Sequence, residues 1–475
     1  MNYKDLLDEK IFYWFSEISK IPRESGNEKE ISDFLVKFAN DRNLEVIQDD
    51  ALNVLIKKDA TSGYEDRPVV AIQGHMDMVC VKNEDSDHDF ENDPIKLLVE
   101  DGWITADGTT LGADNGLAVA YILAVLDSDN IEHGPLEALI TTAEETSMGG
   151  AMALDSSILK ADYLLNIDSE EEGIFTLGCA GGVEIDFEIK RENEKPSDDD
   201  RFIEISAKNF YGGHSGMEVA NYRGNAILKL GRLLNKLEDF KIGTIEGGVK
   251  KNAIPTSAKA VVAIKDMEKA KSILEEESNN IIDENKSTDP DAEITFGEVE
   301  FDKEVVSVSQ SRDIVDFLYV IPDGVYEKDL ELGYIVSSSN LGVLKDEDGY
   351  IKGTDFVRSE NTSKKLNKRD IIITLARNYG FSVDENNGYP GWQREDSPIN
   401  DLFLKLWKEE TGEDAELNVT HGGLECGVLK DKMNDTQFIS FGPDIENAHS
   451  PRERLNIESA RRVYEFLVSA LKEIR

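Results

Sequence analysis

"VVAIQGHMD", Val69 to Asp77, is a short apolar run that stops at a glycine and delivers a histidine and an aspartate. On its own it is one buried strand with polar residues at its end. The fold is decided by the recurrence of the pattern. "LEALITTAEE" (Leu136–Glu145) ends in two glutamates, "DYLLNID" (Asp162–Asp168) in an aspartate, and "TQFISFGPD" (Thr436–Asp444) in an aspartate with His449 just beyond. Helical stretches separate these runs, and strand alternating with helix specifies a mostly parallel sheet covered on both faces. In open α/β sheets ligands collect beyond the carboxyl ends of the strands. Four segments therefore bring His, Glu and Asp to one edge, and a metal site is the economical explanation.

The pattern does not run through the whole chain. Near "LGCAGGVEIDFEIK" (177–190) it gives way to alternating strands and amphipathic helices such as "NAILKLGRLLNKL" (225–237), and it resumes after "GYPGWQRE" (388–395). The expected organisation is an α/β catalytic domain made of 1–184 and 388–475, interrupted by an inserted α+β lid or dimerisation-like domain, 185–387. The insertion has room for two similar halves joined near 301–310, with 194–201 and 276–293 as solvated loops. Near the N-terminus, Ser25 followed three residues later by Glu28 has capping-box spacing ahead of Ile31, Phe34, Leu35 and Phe38.

Composition narrows the partners. A chain of 475 residues exceeds the roughly 250–300 that one core supports, so at least two domains are expected. The formal charge of −44 disfavours nucleic acid and anionic membranes. No stretch approaches the roughly 20 apolar residues of a membrane span. Three cysteines, Cys80, Cys179 and Cys426, are too few and too scattered for a disulfide framework, and no signal-peptide pattern opens the chain. A cytoplasmic protein is expected, with a small ligand, a metal or a peptide as its partner.

Two further stretches carry candidate chemistry. "TTLGADNGLAVAYILAVL" sets Asp114 at the start of an apolar helix; an ordinary N-cap would account for the aspartate, but Gly112 and Gly116 imply a backbone tighter than a cap requires. His75-x-Asp77, if extended, puts the carboxylate on the same side as the imidazole, where it can brace it. In an extended segment Glu144 and Glu145 would point to opposite sides, which suits them to different tasks. Spacing leaves open which does which.

"QGHMDMV", "LGADNG", "TAEETSMGGA", "NIDSEEEG", "GGHSG" and "ENAHSPRERL" together resemble the signature segments of the M20 metallopeptidases, most nearly the aminoacyl-histidine dipeptidase (peptidase D) branch. The resemblance spans nearly the whole chain in order. It implies a di-zinc exopeptidase core with a lid and two Zn²⁺, with Mn²⁺ or Co²⁺ as substitutes, flanking a bridging hydroxide. Asp114 would bridge the metals, His75 and Asp168 would complete one, Glu145 and His449 the other, and Asp77 would orient His75. Glu144 would be the general base, and His214 of the insertion would stabilise the oxyanion. The Asp114–Asn115 bond would be cis. Asn252 in "KKNAIP", Arg358 in "DFVRSE" and Gly423 in "THGGLECG" would bind substrate, although Arg358 fits a plain ion pair as well, and His421 and Glu425 fit structural roles. The implied reaction is dipeptide hydrolysis, Xaa-His with broad tolerance. A tripeptide aminopeptidase, a general dipeptidase and an N-acyl amino acid deacylase share the same core, and the family includes both lid-paired homodimers and monomers.

Competing readings lack residues. A non-catalytic metal-binding relative would have lost a ligand or the base, yet Glu144 and all five ligand positions are present. The loop beginning at Asp85 mimics an EF-hand but has Phe90 at the glycine position and Lys96 at the glutamate position. His88 goes with that loop, and His133 reads as structural. A cysteine hydrolase on Cys80 lacks an electropositive setting. There is no G-x-G-x-x-G, Walker A or G-x-S-x-G.

Overall fold

The computed structural model describes residues 2–384, 386 and 388–475. It comprises two compact units: Met1–Gly178 with Trp392–Val419 and Leu424–Arg475, and Cys179–Gly391 with Thr420–Gly423.

The first unit is built on an eight-stranded sheet in the order Glu45–Gln48, Val54–Lys58, Leu136–Thr141, Val70–His75, Tyr163–Asn166, Gln437–Ser440, Ile174–Cys179, Glu416–Thr420. Its middle is parallel: Val70–His75 lies between Leu136–Thr141 and Tyr163–Asn166, and Gln437–Ser440 continues beside the latter. The flanks turn antiparallel at Val54–Lys58 and Ile174–Cys179. Register aligns the strand ends, with His75 opposite Thr141 and Gln73 opposite Asn166. The loops that follow therefore emerge side by side. This is the α/β architecture expected, with parallel pairing confined to the central strands.

The helix Ala113–Leu126 is apolar on every side and buried almost throughout, which fits a helix enclosed between layers rather than a surface one. The Tyr121 hydroxyl donates to the Ala460 carbonyl in the helix Ile457–Glu473. Phe175, Phe403, Phe441 and Phe466 form an aromatic cluster in the same core, each contributing roughly 1.5–3 kcal/mol by burial. A small sheet joins Leu97–Glu100 and Trp103–Ala106 to the hairpin Ile445–Glu446/Arg454–Asn456, whose loop carries His449. The helix Lys29–Asp41 follows Ser25, but Ser25 does not cap it: its hydroxyl donates to the Asp77 carboxylate, and Glu28 accepts from the Gly26 and Ala143 N–H groups. The capping-box spacing reflects these longer-range bonds.

The second unit is a nine-stranded antiparallel sheet whose apolar face is covered by helices. In Gly181–Lys190, Val183, Ile185, Phe187 and Ile189 face the core while Asp186 and Glu188 face solvent, the period-two pattern legible in "VEIDFEIK". One sheet runs through the whole unit, with Phe240–Gly247 meeting Ile335–Glu347. Residues 276–285, expected in a solvated loop, form the end of the helix Met267–Asn285. The acidic run hid its apolar stripe: Leu274, Glu277 and Ile281 lie on the buried face, and Arg232 pairs with Glu277 and Glu284.

Candidate metal centre

His75 closes a strand, and the other candidates lie in the loops and turns beyond. His75 is the last residue of Val70–His75 and is buried. Its Nδ1 lies 3.1 Å from the Asp77 carbonyl and 3.4 Å from Asp77 Oδ1, and its Nε2 lies 3.2 Å from Asp114 Oδ1 and 3.4 Å from Asp168 Oδ1. Burial works against charging this imidazole, but the carboxylates of Asp168, Asp114 and Asp77 prevail and hold its pKa well above the ordinary value. Asp77 also accepts the Glu144 and Glu145 N–H groups at 3.2 and 3.3 Å. One buried carboxylate thus braces both the histidine and the turn that bears the two glutamates.

Asp114 precedes the regular part of its helix, with non-helical backbone and a cis bond to Asn115. Asn115 Oδ1 accepts the His75 N–H at 3.2 Å, and a Cβ on Gly74 would lie 2.4 Å from that oxygen, so the approach requires glycine. The two Asp114 oxygens face different histidines: Oδ1 faces His75, and Oδ2 lies 3.0 Å from His449 Nε2. His449 Nε2 also lies 3.0 Å from Glu145 Oε2, and the hydrogen bonds of Asp114 and Glu145 raise its pKa to about 11. Burial raises Asp168 to about 6 and, with the charges of Asp168, Glu425 and Glu145, lifts Glu144 well above the usual carboxylate range.

The glutamates are not in extended backbone. Ala143 is left-handed, and Glu144 opens a short helical turn ending at Ser147. Their separation therefore comes from the turn, not from strand alternation. Glu145 joins Asp114 and His449 in one cluster; His75, Asp114 and Asp168 form a second, and the ligand atoms within each lie within 4.8 Å of one another. Imidazole and carboxylate donors converging from a shared aspartate suit a pair of divalent cations of the zinc or manganese type.

The second unit gathers the remaining candidates. His214 pairs with Ala253, and the Ser215 N–H donates to the Asn252 carbonyl. His214 Nδ1 accepts the Met217 N–H at 3.2 Å, which leaves the proton on Nε2. Burial, then the charge of Arg358, lowers its pKa to about 4. Arg358 is buried, with its guanidinium over the Phe356 ring and hydrogen-bonded to Tyr389, so the surface ion pair does not describe it. Thr420–Gly423 belong to this unit, where His421 Nε2 lies 2.7 Å from the Ser338 hydroxyl.

Glu425 lies in the first unit, fully buried, accepting from Gln73 and Thr141. Its adjacency to a glycine-rich stretch gave no sign of this. Ser25, read as a cap, binds Asp77 instead, and Glu453 went unnoticed, since only contacts between distant segments reveal these roles. His133 is buried against the Gly134 carbonyl and His88 packs on Phe90. Burial pushes the Cys80 thiol up to about 12, the wrong direction for a nucleophile. Among the described residues no helix is long and apolar enough to cross a membrane.

Similarity to known proteins agrees with this architecture. Residues 71–473 match the peptidase family M20/M25/M40. The chain is 35% identical over 468 residues to the cytosol non-specific dipeptidase of Escherichia coli (strain K12), covering 97% of this chain and 96% of that one. The crystal structure of aminoacylhistidine dipeptidase from Vibrio alginolyticus superposes with a TM-score of 0.92 at 34% identity, covering 98% of this chain and 96% of the other. The aminopeptidase PepT structure from Bacillus cereus ATCC 10987 shares the fold at 18% identity, with a TM-score of 0.57 over 98% of each chain. The chain is a member of peptidase family M20/M25/M40.

Proposed function

We propose that this protein is a two-metal dipeptidase that hydrolyses short peptides, Xaa-His among them, with broad tolerance. The observation that carries the reading is the Asp114 carboxylate, whose oxygens lie 3.2 Å from His75 and 3.0 Å from His449 and so tie two ligand clusters together. The two similar dipeptidases support the substrate class, one named non-specific and the other aminoacylhistidine. His75, Asp114 and Asp168 would hold one cation and Asp114, Glu145 and His449 the other, with zinc as the ion. When bound, such a pair polarises the scissile carbonyl and lowers the pKa of water.

The chain's own residues supply the rest. Asp77 fixes the His75 ring and the turn of Glu144, which takes the proton of the attacking water and passes it to the leaving amine. His214, neutral and with its proton on Nε2, is a donor for the developing oxyanion. Arg358 offers a planar fork for the terminal carboxylate, aided by Asn252 and the backbone at Gly423. Segments 1–184 and 388–475 act as the catalytic domain and 185–387 as its lid, in a protein acting in the cytoplasm as a monomer or a lid-paired homodimer.

The test is a panel of β-Ala-His, Gly-His, Leu-Gly, a tripeptide and an N-acyl amino acid, given to metal-free protein refilled with Zn²⁺, Mn²⁺ or Co²⁺. Turnover of the dipeptides is expected and should vanish with chelator. Turnover confined to the tripeptide or the acyl substrate would overturn the dipeptidase assignment.

A further inference from the structure

Behind the ligands lie two buried charged residues that the mechanism does not use, Arg23 and Glu453, each 2% exposed. Glu453 Oε2 accepts the N–H groups of Leu111 and Gly112 at 2.8 and 3.0 Å, and Oε1 accepts those of Ala113 and Asp114 at 2.7 and 3.3 Å. Four consecutive backbone donors, ending at Asp114 itself, thus converge on one carboxylate. Arg23 works on the carbonyl side. Its Nη1 donates to Met76 and Asp77 at 3.1 and 3.3 Å, and its Nη2 donates to Gly112.

The arrangement also accounts for two glycines. A Cβ on Gly112 would lie 2.4 Å from Arg23 Nη2 and one on Gly116 2.6 Å, so the guanidinium occupies the space that any side chain there would need. The tight backbone implied by the glycines is a backbone wrapped around an arginine.

We infer that Arg23 and Glu453 are positioning residues that form a clamp setting the place of Asp114 relative to His75 and His449, and thereby the affinity of both metal positions at once. Arg23 ties the loop of His75 and Asp77 to the loop of Asp114. Glu453 ties the Asp114 loop to the hairpin of His449, four residues before it in the chain. Because Asp114 presents one oxygen to each histidine, any shift of its backbone changes both clusters together. Hydrogen-bond partners of this kind behind metal ligands typically set affinity by roughly 10–100-fold. The inference rests on Asp114 as the shared ligand.

The experiment measures metal binding to metal-free protein by competition with a chromophoric chelator, alongside the visible spectrum of the Co²⁺-loaded protein and kcat and KM. Glu453→Gln places an NH₂ group against backbone donors. It is expected to weaken both metal equivalents by roughly 10–100-fold, to shift the Co²⁺ bands, and to lower kcat more than KM. Glu453→Asp keeps the charge and should recover part of each loss. Arg23→Lys, which lacks the fork, should weaken both equivalents as well. Asp266→Ala, which removes the cap of the helix Met267–Asn285 in the other unit, serves as a stability control and should leave affinity unchanged.

Wild-type affinity and spectrum in Glu453→Gln, an equal loss in Asp266→Ala, or weakening of one equivalent alone would each overturn the clamp. If Glu453→Gln does not fold, wild-type affinity in both Glu453→Asp and Arg23→Lys overturns it. Failure of the wild type to bind two metals would instead remove the shared-ligand reading on which the clamp rests.

Discussion

Two pairs of histidines show what surroundings do to one side chain. His75 and His449, in the first unit, sit among carboxylates that raise their affinity for positive charge. His214, half-buried, and His421, buried, lie in the second, where burial and then the charge of Arg358 lower their pKa values to about 4 and about 3. The first pair faces carboxylates, as the proposed metal ligation requires, and the second remains uncharged beside a guanidinium. A histidine's charge state is thus set by its burial together with the sign of the charge packed around it.

The sharpest way to break this contrast is at Glu144, the proposed proton carrier within the anionic cluster. Glu144→Gln should lower kcat by about 10²–10⁴-fold while metal analysis still finds both ions; loss of the ions would make Glu144 a ligand instead. His214→Ala should lower kcat by about 10²–10³-fold with a smaller change in KM, and a change in KM alone would make it a binding residue. Arg358→Lys keeps the charge but loses the fork, so KM for dipeptides should rise by roughly tenfold; steady-state kinetics at unaltered KM would remove Arg358 from substrate binding.

The smallest effect concerns stability. His421 stays neutral in the folded protein down to about 3 but takes up a proton near 6.5 when unfolded. The unfolded state therefore binds more protons between those values. Stability is full above the upper value and falls with decreasing pH, by about 1.4 kcal/mol per pH unit for this residue. In denaturant titrations across that window, His421→Gln should flatten the slope; an unchanged slope would show that His421 is protonated when folded.

The strands, their order of chemistry and the side chains gathered at their ends were legible in the sequence because each is a local pattern: an apolar run, then a polar residue. The resemblance carried the rest of that set, since spacing could not distinguish Glu144 from Glu145. What stayed hidden depends on contacts between distant residues. The left-handed Ala143 turns the glutamates into a helical turn, and alanine gives no warning of it. Ser25 looks like a cap until Asp77 is found beside it. Residues 276–285 look solvated because Glu277 interrupts the apolar stripe, and only its partner Arg232 explains its burial.

The central strand Gln437–Ser440 and the hairpin that bears His449 are synthesised after His75, Asp114, Glu145 and Asp168. A nascent chain that has already made His75, Asp114, Glu145 and Asp168 still lacks a neighbour for Tyr163–Asn166 and the histidine that faces Asp114. The two carboxylate–histidine clusters therefore cannot both form until the chain has been made past His449. A message truncated after residue 436 would yield a product with His75, Asp114, Glu145 and Asp168 but without the histidine that faces Asp114.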